Sequence, residues 1–495
     1  MDRKLPDELL ADLNGYISSF MGLYFTESRF CDLERGIALA AKDFGFEDEA
    51  AFIGWLKSRP LEKEQIERLA SHLTVGETYF FRDPGSFDAL EHMVFPELLR
   101  SRHEQKRIRV WSAGCSTGEE AYSIAMLLSR IVPDMDSWNI SILATDINAV
   151  SLKKASDGVY TQWSFRNTPE WIKNKHFTRT GDGAFRIDPE IRKMVSFGYL
   201  NLAEDIYPSL LNNTNGVDII LCRNVIMYLS DVVAGSVVRG FHKALVDDGW
   251  LLVSPAEAVR AVSGVFVPVN MGDAIFYRKA GAAPETPERG FAPLPIAFDE
   301  LLPEKEVEPP SPAEEAVDAP APVPLVAPDP LAEADGLAEA DGLYGQGLYG
   351  EAAKVLEAMS GDERGEAGTL LLARSYANMG RLEEASRWCE SVKAADTLNK
   401  AAYMLLATIR LEQARAEEAI ECLRKALYLD QDFVIAHFML GKLLNAVDGG
   451  HEQAMRHFDA AYRLLEAEKD DAMLPESDGV MAGRLREILA LTLKV

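Results

Sequence analysis

The chain has 495 residues, enough for about three domains of ordinary size, with 47% hydrophobic and 26% charged residues. Its net charge of −27 repels phosphate backbones and argues against a nucleic-acid-coating role, and no apolar run is long enough to span a bilayer or to serve as a signal peptide. Five separated cysteines without C-x-x-C spacing argue against a disulfide framework or a structural zinc site, so a cytoplasmic, metal-free protein with no membrane insertion is expected.

In chain order, residues 1–75 read as helices: LLADLNGYISSFMGLY and LERGIALAAKDFGF carry apolar residues at helical spacing, and two shorter segments follow suit. The segment Gly76-Glu77-Thr78-Tyr79-Phe80-Phe81-Arg82-Asp83 joins them to the next domain. Its three aromatics read as a domain-interface plug, and Arg82 beside them as an arginine able to hold a carboxylate.

From about 108 to 280, apolar runs alternate with amphipathic helices: RIRVWSA then EEAYSIAMLLSRI, ISILATDI then AVSLKKAS, VDIILCRN then DVVAGSVVRGFHKAL, and GWLLVSP. This alternation predicts an α/β domain with a mainly parallel sheet. Residues 176–200, with glycine turns between short alternating segments, are expected to form a small antiparallel β insertion.

Three motifs fall where such sheets bind ligands. Trp111-Ser112-Ala113-Gly114-Cys115-Ser116-Thr117-Gly118-Glu119-Glu120 runs from a buried strand through small residues into a helix N-terminus. Neither G-x-G-x-x-G nor a P-loop is present, and the glutamates suit a cationic ligand; a plain strand–helix turn is the alternative. Asp146, ending the next strand, can hold ribose hydroxyls or cap the following helix. Arg223-Asn224, with Tyr228 just beyond, follows the apolar VDIIL; Cys222 reads as a core filler, and the histidines show no metal-ligand spacing.

Residues 281–330 hold 13 of the 24 prolines, with 11 acidic and 2 basic residues, and predict an extended linker. The hexamer LAEADG follows twice in tandem. Beyond it a 34-residue frame aligns Ala385 with Ala419, Leu372 with Leu406 and Ala373 with Ala407, and continues to Gly441 and, after one inserted residue, to Ala454 and Phe458. The frame resembles the tetratricopeptide repeat, with units at about 366–399, 400–433 and 434–468, a weaker one at 336–365, and a capping helix from 477.

TYFFRD, WSAGCSTGEEAYSIA, ATDIN and LCRNVIMYL, in this order, resemble the CheR family of chemotaxis receptor methyltransferases over about residues 10–280. The resemblance implies a helical N-terminal domain (1–75) and a Rossmann-like methyltransferase domain (76–280) with the β insertion, followed here by the linker (281–335) and an all-α repeat solenoid (336–495). It implies S-adenosylmethionine as cofactor, S-adenosylhomocysteine as product, and glutamates on the cytoplasmic domain of a chemoreceptor-like protein as substrate. Thr78 and Arg82 would contact the methionine end, Glu119 its amino group with the Ala113 backbone nearby, Asp146 the ribose, and Asn201 and Leu202 the adenine. Arg223 and Asn224 would complete the pocket, and Arg82 and Tyr228 would lie near the transferred methyl. Arg35 and Lys42, on one helix face, would suit docking on receptor helices or be plain surface charge. Gly76 departs from the asparagine often found there, and the short turn 179–186 argues against tethering to a receptor pentapeptide. The repeats would then recruit a protein partner. A non-catalytic scaffold and a small-molecule methyltransferase are the competing readings.

Overall fold

The computed structural model describes residues 5–493 apart from 167, 182, 205, 210–211, 258–265, 273, 280–334, 446–448, 471 and 478–479. The expected linker thus lies outside the described residues, save its last position, where a helix opens at Asp335.

Four helices begin the fold: Asp7–Met21, Phe30–Asp43, Glu49–Ser58 and Lys63–Leu73. Each buries one stripe, such as Leu10, Leu13, Ile17 and Met21 on the first and Leu33, Ile37 and Ala40 on the second. Gly36 brings the second helix against the end of the fourth, because a Cβ there would lie 2.8 Å from the His72 carbonyl oxygen.

The methyltransferase-like part is a seven-stranded sheet in the order β6-β2-β1-β7-β8-β10-β9. Its strands are β1 (Arg107–Ala113), β2 (Asn139–Asp146), β6 (Val195–Tyr199), β7 (Val217–Cys222), β8 (Leu245–Val253), β9 (Phe266–Met271) and β10 (Ala274–Lys279). The first five strands in that order pair in parallel, and the β9–β10 hairpin joins β8 antiparallel. β1 is buried along its whole length, as a central parallel strand must be. Its side chains alternate between two cores: Ile108 and Val110 pack with the helix Glu119–Ile131, Trp111 and Ala113 with the helix Asp231–Ala244. Helices therefore cover both faces, giving a Rossmann-like layering.

The antiparallel insertion differs from its expected span of 176–200. It is a three-stranded sheet, β3 (Val159–Tyr160), β5 (Phe185–Ile187) and β4 (Phe177–Arg179), so it begins earlier and ends earlier. β6 belongs instead to the main sheet, in parallel register with β2 from Ile142↔Val195 to Asp146↔Tyr199. The break is the short helix Pro189–Lys193: Asp188 caps it by accepting the Glu190 N–H, and Pro189 supplies the first helical φ.

The C-terminal region is all helical, in the pairs Asp335–Gly345/Tyr349–Ala358, Gly361–Asn378/Leu382–Ala395, Lys400–Glu412/Ala416–Leu429 and Val434–Asn445/His451–Glu466. Ala385, Ala419 and Ala454 are fully buried where paired helices touch, and a Cβ on Gly441 would fall 2.5 Å from the Phe458 ring. Gly365, with φ +56, breaks the helix where the 34-residue frame starts. The last helix runs Ala482–Leu493 rather than from 477, because the Ser477 hydroxyl is engaged in a turn with Leu474 and Val480.

The array packs against the strand starts of the sheet. Glu412 accepts from Arg107 and from Asn215 at 2.8 Å each, and Asn139 donates to the Glu412 carbonyl. Lys279 donates to the carbonyls of Leu245 and Gly347. No helix among the described residues is long and apolar enough to cross a membrane.

Candidate active site

A cleft opens at the other end of the strands, where β1, β2 and β7 finish. The turn after β1 is shaped by backbone constraint. Gly114 has φ +78, and a Cβ on it would meet Val225 at 2.3 Å, so only glycine fits. The N–H groups of Gly114 and Cys115 both donate to the Thr145 carbonyl at the end of β2, fastening the two strand ends together. The Asp146 carboxylate accepts the N–H of Ser116 and that of Asn148, each at 2.8 Å. Asn148 in turn caps the helix Ala149–Asp157 and donates to Thr74, tying the N-terminal helices to the cleft.

The cleft has two chambers of about 100 and 50 Å³ that share Val75, Gly114, Ser116 and Asn224. Asp146, Asn201, Leu202 and Tyr228 line the first, with Phe25 and Arg29 from the N-terminal helices. Thr78, Arg82, Glu120 and Arg223 line the second. Asn224 stands between them in the left-handed region, φ +60, and the buried carboxylate of Glu257 fixes that turn by accepting the N–H groups of Asn224, Val225 and Met227. Burial raises the Asp146 carboxyl, against the lowering effect of its N–H partners, and pushes the thiols of Cys115 and Cys222 well up. Neither cysteine is poised as a nucleophile.

Residues 76–275 match the SAM-binding domain of the CheR methyltransferases, and residues 343–409 and 401–433 match tetratricopeptide repeats. The chain is 31% identical to a chemotaxis protein methyltransferase of Borreliella burgdorferi, over 48% of this chain and 84% of that one. It is 32% identical to chemotaxis protein methyltransferase 2 of Vibrio cholerae, over 41% and 69%. The chain belongs to the CheR methyltransferase family. This CheR is also 29% identical to the probable biofilm formation methyltransferase WspC of Pseudomonas aeruginosa, over 57% of this chain and 63% of that one.

S-adenosylmethionine is the methyl donor of this domain, and the cleft of this CheR fits such a group. The Ser116 hydroxyl is buried, borders both chambers and has no hydrogen-bond partner, and two carboxylates, Asp146 and Glu120, face a ligand that carries positive charge.

Most residues anticipated at the cofactor come together in the cleft, but not all by their side chains. The Asn201 amide is spent on the Phe20 carbonyl and the Ala203 N–H, which leaves its backbone and Leu202 as wall. Ala113 is buried behind Gly114. Arg223 bridges: it donates to the Arg82 carbonyl at 2.8 Å and pairs with Asp83 and Glu120 at 3.3 and 3.4 Å. Arg82 donates to the Glu77 carbonyl and lies half-buried beside Tyr79.

Glu119 turns away from the cleft. It is 1% exposed, and its carboxylate accepts from Thr117 at 2.6 Å and Ser164 at 2.9 Å. Its neighbour Glu120 faces the second chamber, its carboxylate accepting from Ser112. The swap follows from helix geometry: adjacent residues on the helix Glu119–Ile131 point about 100° apart, so only one of a Glu-Glu pair can face the cleft. Phe80, the middle aromatic of the joining segment, does not plug the interface with the N-terminal helices as expected but packs in the core beside the β insertion, with ring centroids 4.9–5.0 Å from Tyr160, Phe165 and Phe177. Sequence reasoning did not single out Glu120 from Glu119 as the one facing the cleft, nor Arg29 or Glu257; an acid just after Ser254-Pro255, at the end of a parallel strand, was the available signal for the last.

Proposed function

We propose that this CheR methylates glutamate side chains on the cytoplasmic helices of a chemoreceptor-like, methyl-accepting protein. S-adenosylmethionine, when bound, supplies a methyl group on a positively charged sulfur. A glutamate carboxylate, with a pKa of about 4.3, is already an anion at neutral pH. One of its oxygens bonds to the methyl carbon as the carbon–sulfur bond breaks, with the electron pair left on sulfur in the product S-adenosylhomocysteine. The two opposite charges disappear together and no proton moves.

The observation that carries this reading is the make-up of the cleft walls: Arg29, Arg82 and Tyr228 stand on them, and among the described residues no histidine does. Proton removal is not required, whereas holding an anion in line with the methyl is. In this reading Arg82 steers the incoming carboxylate and Tyr228 positions it. Asp146 takes the ribose hydroxyls, Asn201 and Leu202 flank the adenine, and Thr78 and Glu120 hold the methionine end. Arg223 and Asn224 keep the two chambers in register. The repeat array recruits a protein partner to the enzyme.

The test is incubation with labelled S-adenosylmethionine and receptor-bearing membranes, followed by base treatment, which frees methanol from a methyl ester but not from methylated nitrogen or phenol. Base-released label above an Asp146→Ala control is expected. Label that stays bound through base would sink the glutamate assignment.

A further inference from the structure

We propose that Arg29, carried by the N-terminal helices, is a positioning residue of the methyl transfer: it fixes the ring of Tyr228, and with it the hydroxyl that aligns the acceptor carboxylate. The inference rests on the reading above in one respect, that Tyr228 meets the incoming carboxylate.

The segment between the first two helices is built to reach the cleft. Buried Asn14 clamps Phe25 from both sides, its amide donating to the Phe25 carbonyl and its oxygen accepting the Phe25 N–H, each at 2.9 Å. Just before, Leu23 pairs antiparallel with Leu229, and the Tyr24 N–H donates to the Tyr228 carbonyl at 2.7 Å. The Tyr228 N–H donates in turn to the Val225 carbonyl at 3.0 Å. The backbones of the two domains are thus joined at the residue that faces the reacting centre. Arg29 ends the short turn that follows, Glu27–Arg29.

From there its side chain reaches back over the joint. The guanidinium carbon lies 4.6 Å from the centroid of the Tyr228 ring and 5.4 Å from that of Phe25. Its Nε lies 3.5 Å from the Asp32 carboxylate, which Arg35 also holds at 2.8 Å. The arginine is therefore charge-matched, and its contact with Tyr228 does not depend on a surplus of charge. Asp32 steadies the group that presses on the ring.

Pinning the backbone of Tyr228 does not by itself place its hydroxyl, because the ring still turns about the side-chain bonds. A swing to another rotamer would carry the hydroxyl farther than an in-line attack tolerates. A cation over the face of a half-buried ring favours one orientation, and the buried Phe25 behind the guanidinium keeps it there. The helical N-terminal domain thus completes the catalytic cleft. Arg29 also borders the chamber that holds Asp146 and Asn201, so a plain cofactor-wall role is the outcome to be tested against.

The test is a double-substitution cycle in the full chain, read as single-turnover methylation of receptor-bearing membranes beside a titration with S-adenosylmethionine. Arg29→Met, which removes the charge, should lower the rate about tenfold at unchanged cofactor affinity, and Arg29→Lys should recover part of it. In Tyr228→Phe, which keeps the ring and loses the hydroxyl, Arg29→Met should cost little more, since nothing remains to be aimed. Losses that multiply, or a loss confined to cofactor affinity, would overturn the proposal. A second readout needs no substrate. In protein labelled with fluorotyrosine, the fluorine resonance assigned to Tyr228 by its loss in Tyr228→Phe should shift in Arg29→Met, and an unmoved resonance would overturn the contact itself. A shifted resonance in a protein that yields no base-labile product would instead sink the glutamate reading and leave the hold of Arg29 on Tyr228 standing.

Discussion

The carboxylate of Glu257 accepts the backbone N–H of Asn224 at 2.9 Å, 33 residues earlier in the chain and at the centre of the cleft. Glu257 is 1% exposed and also accepts the N–H groups of Val225 and Ser254, at 2.7 and 2.9 Å, and that of Met227. One buried acid thus holds the turn after β7 in place of backbone partners that the left-handed conformation of Asn224 leaves unavailable. Removing it strands several buried donors, each worth roughly 1–3 kcal/mol. Glu257→Ala is therefore expected to lower Tm by several degrees and to weaken S-adenosylmethionine binding together. Glu257→Gln, which keeps one acceptor oxygen, should fall between. Thermal unfolding beside a binding titration checks this, and an unchanged Tm in Glu257→Ala would remove the turn-holding role.

Asp146 sets function against stability. Burial holds its carboxyl above the ordinary 3.8, so the fold favours the protonated form. A native acid with a raised pKa stabilises the fold most when protonated, and that contribution is lost as pH rises through the native pKa. Asp146→Asn cannot titrate and sets its NH2 where an oxygen accepts a backbone N–H, so its Tm should change less between pH 7 and pH 5 than the wild-type Tm does. Its S-adenosylmethionine affinity at pH 7 should still drop by roughly tenfold or more, since an amide is a poorer acceptor for two hydroxyls. Unfolding curves at pH 7 and pH 5, paired with titrations, separate the two effects.

How far the sequence led differs by element, and the reasons are physical. β1, β2 and β7 were legible because each apolar-rich segment runs into an amphipathic helix, RIRVWSA into EEAYSIAMLLSRI and VDIIL toward DVVAGSVVRGFHKAL, and that alternation marks parallel strands. β6 was not, since Val195–Tyr199 alternates like the insertion beside it and only the short helix at Pro189 divides them. Asp146 and Asn224 could be placed at the cleft because strand ends point there. Glu119 and Glu120 could not be told apart, because which of them faces the ligand depends on the helix phase set by the burial of Ala121, Ile124 and Leu128. The docking of the array was invisible, for Arg107, Arg109 and Glu412 are ordinary charges until the fold brings positions about 300 residues apart together.

The two glutamates at the start of that helix give a direct comparison. Glu120→Gln should weaken S-adenosylmethionine binding by about tenfold, the worth of one charge-assisted contact, while leaving Tm nearly unchanged. Glu119→Gln should do the reverse, lowering Tm through its contacts with Thr117 and Ser164 while sparing affinity. Titrating both variants decides it. A larger affinity loss in Glu119→Gln would restore the ligand role to that residue.

Arg82 differs from these because it lies half-buried at the cleft and points its guanidinium at the Glu77 carbonyl. An arginine that steers the substrate carboxylate acts after the cofactor is bound. Arg82→Ala should lower turnover about a hundredfold, the order associated with losing an oriented charge, with a smaller change in cofactor affinity. Arg82→Lys should recover only part, since an ammonium lacks the planar fork. Single-turnover rates against a cofactor titration distinguish this from a purely binding role.

Glu412 is the acid that joins the array to the catalytic domain, and its loss leaves Arg107 and Arg109 facing each other in a site where both are less than a tenth exposed. Breaking a buried pair by removing one partner costs about 3–5 kcal/mol. An interface can relieve that cost by opening, whereas a core cannot. Glu412→Ala is therefore expected to loosen the array rather than unfold the sheet, and the readouts are a larger radius of gyration and faster proteolysis between the two parts. Affinity for S-adenosylmethionine should hold, because the cleft lies at the far end of β1. Glu412 ends the first helix of its repeat pair, and stacked repeats offer their partners an extended concave surface. Where the proposed recruitment uses the docked surface it competes with docking, so Glu412→Ala should bind a recruited partner more tightly and methylate receptor in cells at least as well as wild type. Deletion of 331–495 should instead reduce methylation in cells while sparing turnover on purified receptor. Equal loss from the point substitution and the deletion would mean that the docked array supports catalysis directly.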